Sequence, residues 1–560
     1  QEGMHPIAVD LRKVDALQNA NQIISLLAGF HSHGISSLFN FSVFPDLKKS
    51  DEYISYIGQG GLGLPDRDYY LKDDEKSKQI RDEYLKHISK MFELAGRKSV
   101  SEQSAKTIMS LETELAKVSM TRVELRDDEK QYHKFTLAEL QASYPDINWQ
   151  TYFNLLGANG INNLIVTQPD FFSKVNVLLK SVSLTDWKTY LTWNVINEAA
   201  DKLNSVFEKQ NFYFYSTVLE GTKEMRPRWK RMVGSTNGVL GEAVGQLYVA
   251  KVFSAEAKQK VNIMVDNLMA VYKERIQKLD WMGEETKKHA LAKLASFSRK
   301  LGYPDKWKDY SPLTITRESF LKNYTNAVNF EFNRMITKLG KPIDKTEWGM
   351  SPQTVNAYYN PLFNEIVFPA AIMQPPFFYA DGDDAVNYGA MGAVIGHEIT
   401  HGFDDQGSKY DEKGNLNNWW TEEDRERFNK RTAKLVEQYN NITVLENLNV
   451  NGELTLGENI ADLGGLTMAF AAYKKSLGEK AGETIDEFTP EQRFFLGWAQ
   501  AWRTQSRPEA LRQLILTNPH SPGQVRAVVS PSNMLEFYKA FGARPGHKMF
   551  KSVEERAMVW

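Results

Sequence analysis

The 560-residue sequence has no cysteine at all, which removes disulfides, thiolate metal ligands and a cysteine nucleophile together. Any metal must be held by histidines and carboxylates. The sequence also lacks a run of eighteen or more apolar residues, so no stretch of it reads as a membrane-spanning helix. Its start, Gln1-Glu2-Gly3-Met4-His5-Pro6, has neither the basic region nor the apolar core of a signal peptide. An excess of either charge is missing too: 68 Lys plus Arg stand against 70 Asp plus Glu. No global field draws in nucleic acid or an anionic bilayer, and selectivity has to come from a local site. Repeats of fixed period and low-complexity tracts are absent, which sets aside solenoids and linker-rich arrays.

What is present is an ordinary globular composition, 42% hydrophobic and 25% charged, in a chain long enough for more than one core. Apolar residues recur at three- and four-residue spacing from about Ser101 to Lys117 and from Ala255 to Phe297, the mark of amphipathic helices. Turn chemistry interrupts this at Gly60-Gly61-Leu62-Gly63-Leu64-Pro65, Gly157-Ala158-Asn159-Gly160 and Tyr303-Pro304-Asp305. Short aromatic and β-branched runs, Asn356-Ala357-Tyr358-Tyr359 and Glu365-Ile366-Val367-Phe368, predict a small sheet. The expectation is a mainly α fold with small β elements, divided near Tyr310 to Leu313 into a mostly helical part, 1–312, and a metal-binding lobe, 313–560.

The segment Ala393-Val394-Ile395-Gly396-His397-Glu398-Ile399-Thr400-His401 is apolar except where it carries chemistry, and nothing in it stops a helix. Residues four apart share a helical face, so His397 and His401 can reach one cation at roughly 2.0–2.1 Å with Glu398 beside them as general base. This is the His-Glu-x-x-His zincin motif. With only 10 histidines in the chain, its chance occurrence is on the order of one in a hundred. The bland alternative is a core helix whose two histidines are satisfied by internal hydrogen bonds.

A catalytic zinc site needs a third protein ligand, and Gly457-Glu458-Asn459-Ile460-Ala461-Asp462 offers Glu458 with Asp462 one turn later on the same face. Glu458 can take the metal while Asp462 accepts from the far nitrogen of a ligating histidine and fixes its tautomer. The rival acids Glu422, Glu423 and Glu426 follow Thr421, a helix N-cap residue, and read as a solvated first turn. A third histidine of the metzincin kind is missing between Phe403 and Tyr410.

These residues resemble the neprilysin family of zinc metallopeptidases, whose Val-x-x-His-Glu-x-x-His-x-Phe-Asp and Gly-Glu-Asn-x-x-Asp motifs match Val394 to Asp404 and Gly457 to Asp462. Further matches are Asn356-Ala357-Tyr358-Tyr359, Phe368-Pro369-Ala370 through Gln374-Pro375-Pro376-Phe377-Phe378, Leu64-Pro65-Asp66-Arg67-Asp68-Tyr69-Tyr70, His520-Ser521-Pro522-Gly523-Gln524-Val525-Arg526 and the final Val559-Trp560. The resemblance spans nearly the whole chain. It implies a two-lobed fold with a thermolysin-like catalytic lobe, the capping lobe supplied largely by 1–312, and a large central cavity. It also implies one Zn2+ per subunit and endopeptidase action on oligopeptides, on the amino side of bulky hydrophobic residues. By the same resemblance Asn356 and the Ala357 backbone align the substrate, Arg526 holds a substrate carbonyl and His520 stabilises the oxyanion, while Ile372, Phe377, Val394 and Trp502 line the hydrophobic pocket. The residue-level alternatives are a surface ion pair for Arg526, a turn-shaping role for His520 and plain core for the pocket residues.

Ala557 stands where vertebrate members have a cysteine, so the chain looks like a bacterial relative. The family's ectodomain has roughly a hundred further residues upstream, which leaves any membrane anchor to a segment before Gln1. An extracytoplasmic setting is the family expectation, with the cytoplasm as the alternative, and a monomer without nucleic-acid partners is expected. Two rival functions are an exopeptidase, which needs a site for a free amino terminus, and an adhesive protein that keeps the scaffold without the chemistry.

Overall fold

The computed structural model describes residues 3–478 and 482–560. Two hydrophobic cores organise it. The first gathers buried residues from Ile7 to Leu219, together with Leu321 and Ile336; the second runs from Ala257 to Val559.

The first core packs helices on a four-stranded sheet of β1 (Phe39–Asp46), β2 (Lys49–Gln59), β3 (Lys134–Thr136) and β4 (Asn163–Val166). The spatial order is β1-β2-β4-β3, with β2 and β4 parallel and the other pairs antiparallel. Its long helices include α1 (Glu75–Leu94), α2 (Ser101–Val118) and α3 (Leu184–Ala199). The predicted helix at Ser101 to Lys117 is α2, and it carries one polar exception into the core. Glu112 is fully buried and accepts hydrogen bonds from the Tyr70 hydroxyl at 2.6 Å and the Tyr84 hydroxyl at 2.9 Å. Burial pushes its carboxyl up to about 7, against which the tyrosine hydrogen bonds pull down.

A helical hairpin, α4 (Arg228–Val239) and α5 (Gly241–Val252), then leads into α6 (Ala255–Lys278) and α7 (Glu284–Ala295). The amphipathic stretch from Ala255 to Phe297 is thus two helices. They part at 279–283, where the Gly283 N–H donates to the Asp424 carboxylate and Trp281 and Met282 turn into the core. Both helices pack into the second core, whereas α8 (Phe320–Ile336) sends Leu321 and Ile336 back into the first. The cores therefore do not separate at residue 312: the turn residues near Tyr310 mark a loop, and the chain crosses between cores on either side of it.

The predicted small sheet is β5 (Ser298–Gly302), β6 (Tyr358–Asn360) and β7 (Glu365–Pro369) in the order β5-β7-β6, with β5 parallel and β6 antiparallel to β7. After it come α9 (Ala393–His401), α10 (Glu422–Asn440), α11 (Leu456–Leu477), α12 (Pro490–Ala501) and α13 (Gly523–Val529). Thr421 caps α10 by accepting from Asp424 N, as its position suggests.

The contact that positions the site lies between α9 and α11. A Cβ on Gly465 would stand 2.4 Å from His397 N and 2.6 Å from Ala393 O, and one on Gly396 would stand 2.7 Å from Gly465 Cα. No side chain fits between the helices, so their backbones touch. Among the described residues no helix is long and apolar enough to cross a membrane.

Candidate active site

The backbone contact at Gly396 and Gly465 brings the amino-terminal turns of α11 against the carboxy-terminal turn of α9. Glu458 and Asp462 sit four residues apart on the facing side of α11, so each meets a histidine of α9. His397 Nε2 lies 3.1 Å and His401 Nε2 3.7 Å from Glu458 Oε2, and the two Nε2 atoms are 2.9 Å apart. On their far sides, His397 Nδ1 is 2.9 Å from Asp462 Oδ1 and His401 Nδ1 is 2.7 Å from Asp404 Oδ2.

This arrangement fixes both tautomers. A carboxylate can only accept, so each ring donates Nδ1–H outward and turns the lone pair of Nε2 inward. Glu458 Oε2 is buried at the point of convergence and accepts no hydrogen bond. Two imidazole lone pairs and a carboxylate oxygen pointing at one another with no proton between them would repel, unless a cation sits among them. Nitrogen and oxygen donors in this number suit Zn2+ with an open coordination position. His397, His401 and Glu458 are the group of potential metal ligands found among the described residues.

Glu398, next to the first ligand, is buried within the same cavity. Burial raises its carboxyl above the ordinary value, opposed by the neighbouring histidines. Asp462 goes the other way. Burial pushes its carboxyl up, but the Arg526 guanidinium and the His397 ring together outweigh it and hold the group below its usual value. Arg526 is buried and grips Asp462 with two bonds, Nε to Oδ2 at 2.8 Å and Nη2 to Oδ1 at 2.6 Å, while its guanidinium carbon lies 3.6 Å over the Trp502 ring. The surface-pair alternative for Arg526 is excluded by that burial.

His520 reaches the centre from the loop before α13, with Nε2 3.1 Å from Glu458 Oε2 and Nδ1 2.9 Å from Asn518 Oδ1. Its neighbour Ser521 donates to Asn459 Oδ1 at 3.0 Å. Asn459 adjoins Glu458 and is fully buried, so one residue of α11 belongs to the metal-binding group and the next anchors the loop.

Every residue assigned a role from the sequence lines a single cavity of about 650 Å³: His397, His401, Glu458, Glu398, Asp462, His520, Arg526, Asn356, Ala357, Ile372, Phe377, Val394 and Trp502. That volume is ordinary for a ligand pocket. Asn356 and Ala357 lie just before β6, on its approach to the cavity. Sequence reasoning assigned no role to Asp404, which lies three residues past the last residue of α9. Asn459 and Asp128, which also borders the cavity, were missed as well. Asp128 accepts from the Tyr410 hydroxyl at 2.7 Å, Asp127 pairs with Lys409 at 2.8 Å and Arg126 donates to Asp405 Oδ1 at 2.9 Å. This segment ties the first core to the rim of the metal site.

Residues 1–304 and 356–557 match the two family models described as peptidase family M13. The chain belongs to peptidase family M13. Bovine endothelin-converting enzyme 1 is 34% identical over 98% of this chain and 73% of its own length. Neprilysin-3 of Drosophila melanogaster is 32% identical over 95% of this chain and 70% of its own. Among solved structures, Mycobacterium tuberculosis zinc metalloprotease ZMP1 in complex with an inhibitor superposes with a TM-score of 0.97 at 40% identity, covering 100% of this chain and 86% of the other. The resemblance to the neprilysin family and the expected fold are therefore borne out. The protein is an M13 zinc metalloendopeptidase, and His397, His401 and Glu458 group as its metal site.

Proposed function

We propose that this M13 enzyme hydrolyses oligopeptides on the amino side of bulky hydrophobic residues, with Glu398 as the proton acceptor. The observation that carries the reading is the sharing of one cavity by the buried Glu398, the metal-binding triad and an apolar wall of Val394, Ile372, Phe377 and Trp502. Zinc, when bound, supplies Lewis acidity that acidifies water and polarises a peptide carbonyl. Glu398 takes the proton from the attacking water and returns it to the leaving amine, a role suited to a carboxyl that burial has made more basic. His520 faces the charge that develops on the carbonyl oxygen. Asn356 and the Ala357 backbone hold the peptide main chain. Arg526, already spending Nε and Nη2 on Asp462, has its remaining donors for a substrate carbonyl.

In the same reading the first core caps the catalytic lobe, folded proteins are excluded by size, and the enzyme works as an extracytoplasmic monomer. The supports for these are the tie between Asp128 and Tyr410 across the cavity rim and the family kinship. Glu398→Gln should keep its zinc and lose at least about a hundredfold in kcat, and peptides blocked at the amino terminus should be cut before Phe, Leu or Ile. A fully active Glu398→Gln enzyme, or cleavage restricted to free amino termini, would refute the reading.

A further inference from the structure

The α4–α5 hairpin is held differently from the rest of the fold. Helix α4 buries no residue and α5 buries one, Gly245; Trp229 and Leu247 are 65% and 76% exposed. With so little apolar burial the seat of the hairpin is set by a few close contacts, and those at the two glycines of α5 fall on one turn, residues 351–354. A Cβ on Gly245 would lie 2.6 Å from Pro352 Cδ, 2.9 Å from Pro352 Cγ and 3.1 Å from Gln353 Oε1. At Gly241 it would lie 3.2 Å from Ser351 Cβ. Gln353 Nε2 donates to Gly241 O at 2.9 Å.

The other side of that turn belongs to the peptide cavity. Thr354 N donates to Ser351 O at 3.0 Å and closes the turn, and Ala371 N donates to Pro352 O at 2.9 Å. Ile372 follows Ala371 directly. Val355, Asn356 and Ala357 follow the turn, and all three line the cavity, as does Ile372. Pro352 is buried, so it stands as a one-residue spacer between the helix backbone at Gly245 and both the main-chain-binding segment and the apolar wall. Close-packed contacts of this kind pass a displacement on instead of absorbing it.

We propose that Gly245 is a positioning residue for peptide binding: by letting α5 touch Pro352 it sets where Asn356, Ala357 and Ile372 stand relative to the metal site. The inference rests on the reading that those three residues hold the peptide. A methyl at Gly245 moves the turn by a few tenths of an ångström or more, and the peptide seat moves with it.

The test compares Gly245→Ala, Gly245→Ala with Pro352→Ala, Gln353→Met and Asn356→Ala in the full-length zinc-loaded enzyme. Gly245→Ala should raise KM for a blocked oligopeptide about tenfold, with zinc content and kcat within about twofold of wild type. Adding Pro352→Ala removes Cγ and Cδ and should bring KM back to within about twofold of wild type. Gln353→Met loosens the same contact without adding bulk, should raise KM about threefold, and decides the matter if Gly245→Ala does not fold. Alanine favours helix over glycine, so an effect confined to α5 would raise thermal stability and leave KM alone. An unchanged KM in Gly245→Ala and Gln353→Met, or a rise that Pro352→Ala does not reverse, overturns the positioning role while Asn356→Ala still raises KM. If Asn356→Ala also leaves KM unchanged, the peptide-binding reading fails and this inference with it.

Discussion

Substituting alanine for Gly465 tests whether the backbone contact between α9 and α11 builds the metal site. The added Cβ would stand 2.4 Å from His397 N, 2.6 Å from Ala393 O and 2.9 Å from Gly396 C, where ordinary contacts need about 3.5 Å or more. All three atoms are backbone, so no side chain can swing away, and the helices must part by about 1 Å. Overpacking of this kind costs about 1–3 kcal/mol of stability. The larger consequence is local. Glu458 and Asp462 ride on the helix that moves, so the 2.9 Å contact from Asp462 to His397 passes the hydrogen-bond limit and Glu458 retreats from both Nε2 atoms. Ligand distances tolerate about 0.2 Å, and loss of an outer carboxylate alone weakens metal binding about 10- to 100-fold. Zinc affinity measured by competition with a chromophoric chelator should therefore fall at least about tenfold in Gly465→Ala, alongside a lower Tm. Wild-type zinc affinity with an unchanged Tm would refute the argument that the paired glycines exist to bring Glu458 to the histidines.

Asp404→Asn should weaken zinc binding about 10- to 100-fold, because an amide can present its N–H to His401 Nδ1 and favour the wrong tautomer; equal affinities in a dialysis assay would contradict this. In the first core, the raised folded-state value of Glu112, about 7 against 4.5, means that its protonated form stabilises the fold fully below pH 4.5 and the contribution is lost as pH rises through about 7. The wild type should lose up to about 3 kcal/mol over that window relative to Glu112→Gln, seen as a Tm difference that grows with pH; parallel Tm profiles would exclude it.

The parts of the site that were legible in the sequence are those with local spacing. His397 with His401, and Glu458 with Asp462, announce themselves because residues four apart share a helical face and because their types can do little else together. That the two pairs meet was read from the need for a third ligand and an outer carboxylate and from the resemblance, since nothing local connects residue 401 to residue 458. The physical cause lay in plain residues: Gly396 and Gly465 have no side chains to attract notice, yet they set the distance between the helices. Asn459 was silent for a similar reason, its partner Ser521 standing 62 residues away. Asp404 lies past the end of α9, where helical periodicity no longer applies, and only its hydrogen bond to His401 reveals it. The membership of the cores was not legible in the sequence, because turn residues mark loops, not the core to which the next helix returns: α6 and α7 carry apolar faces that fit the second core, while Leu321 of α8 fits the first.

Elemental analysis of the purified protein, wild type beside His397→Ala, His401→Ala and Glu458→Ala, tests whether two imidazoles and one carboxylate hold a single zinc ion. One zinc per wild-type chain is expected, lost from each variant after dialysis against a weak chelator, with far-ultraviolet circular dichroism unchanged. A wild-type chain without stoichiometric zinc, or a Glu458→Ala variant that keeps it, would show that these three residues do not form the zinc site.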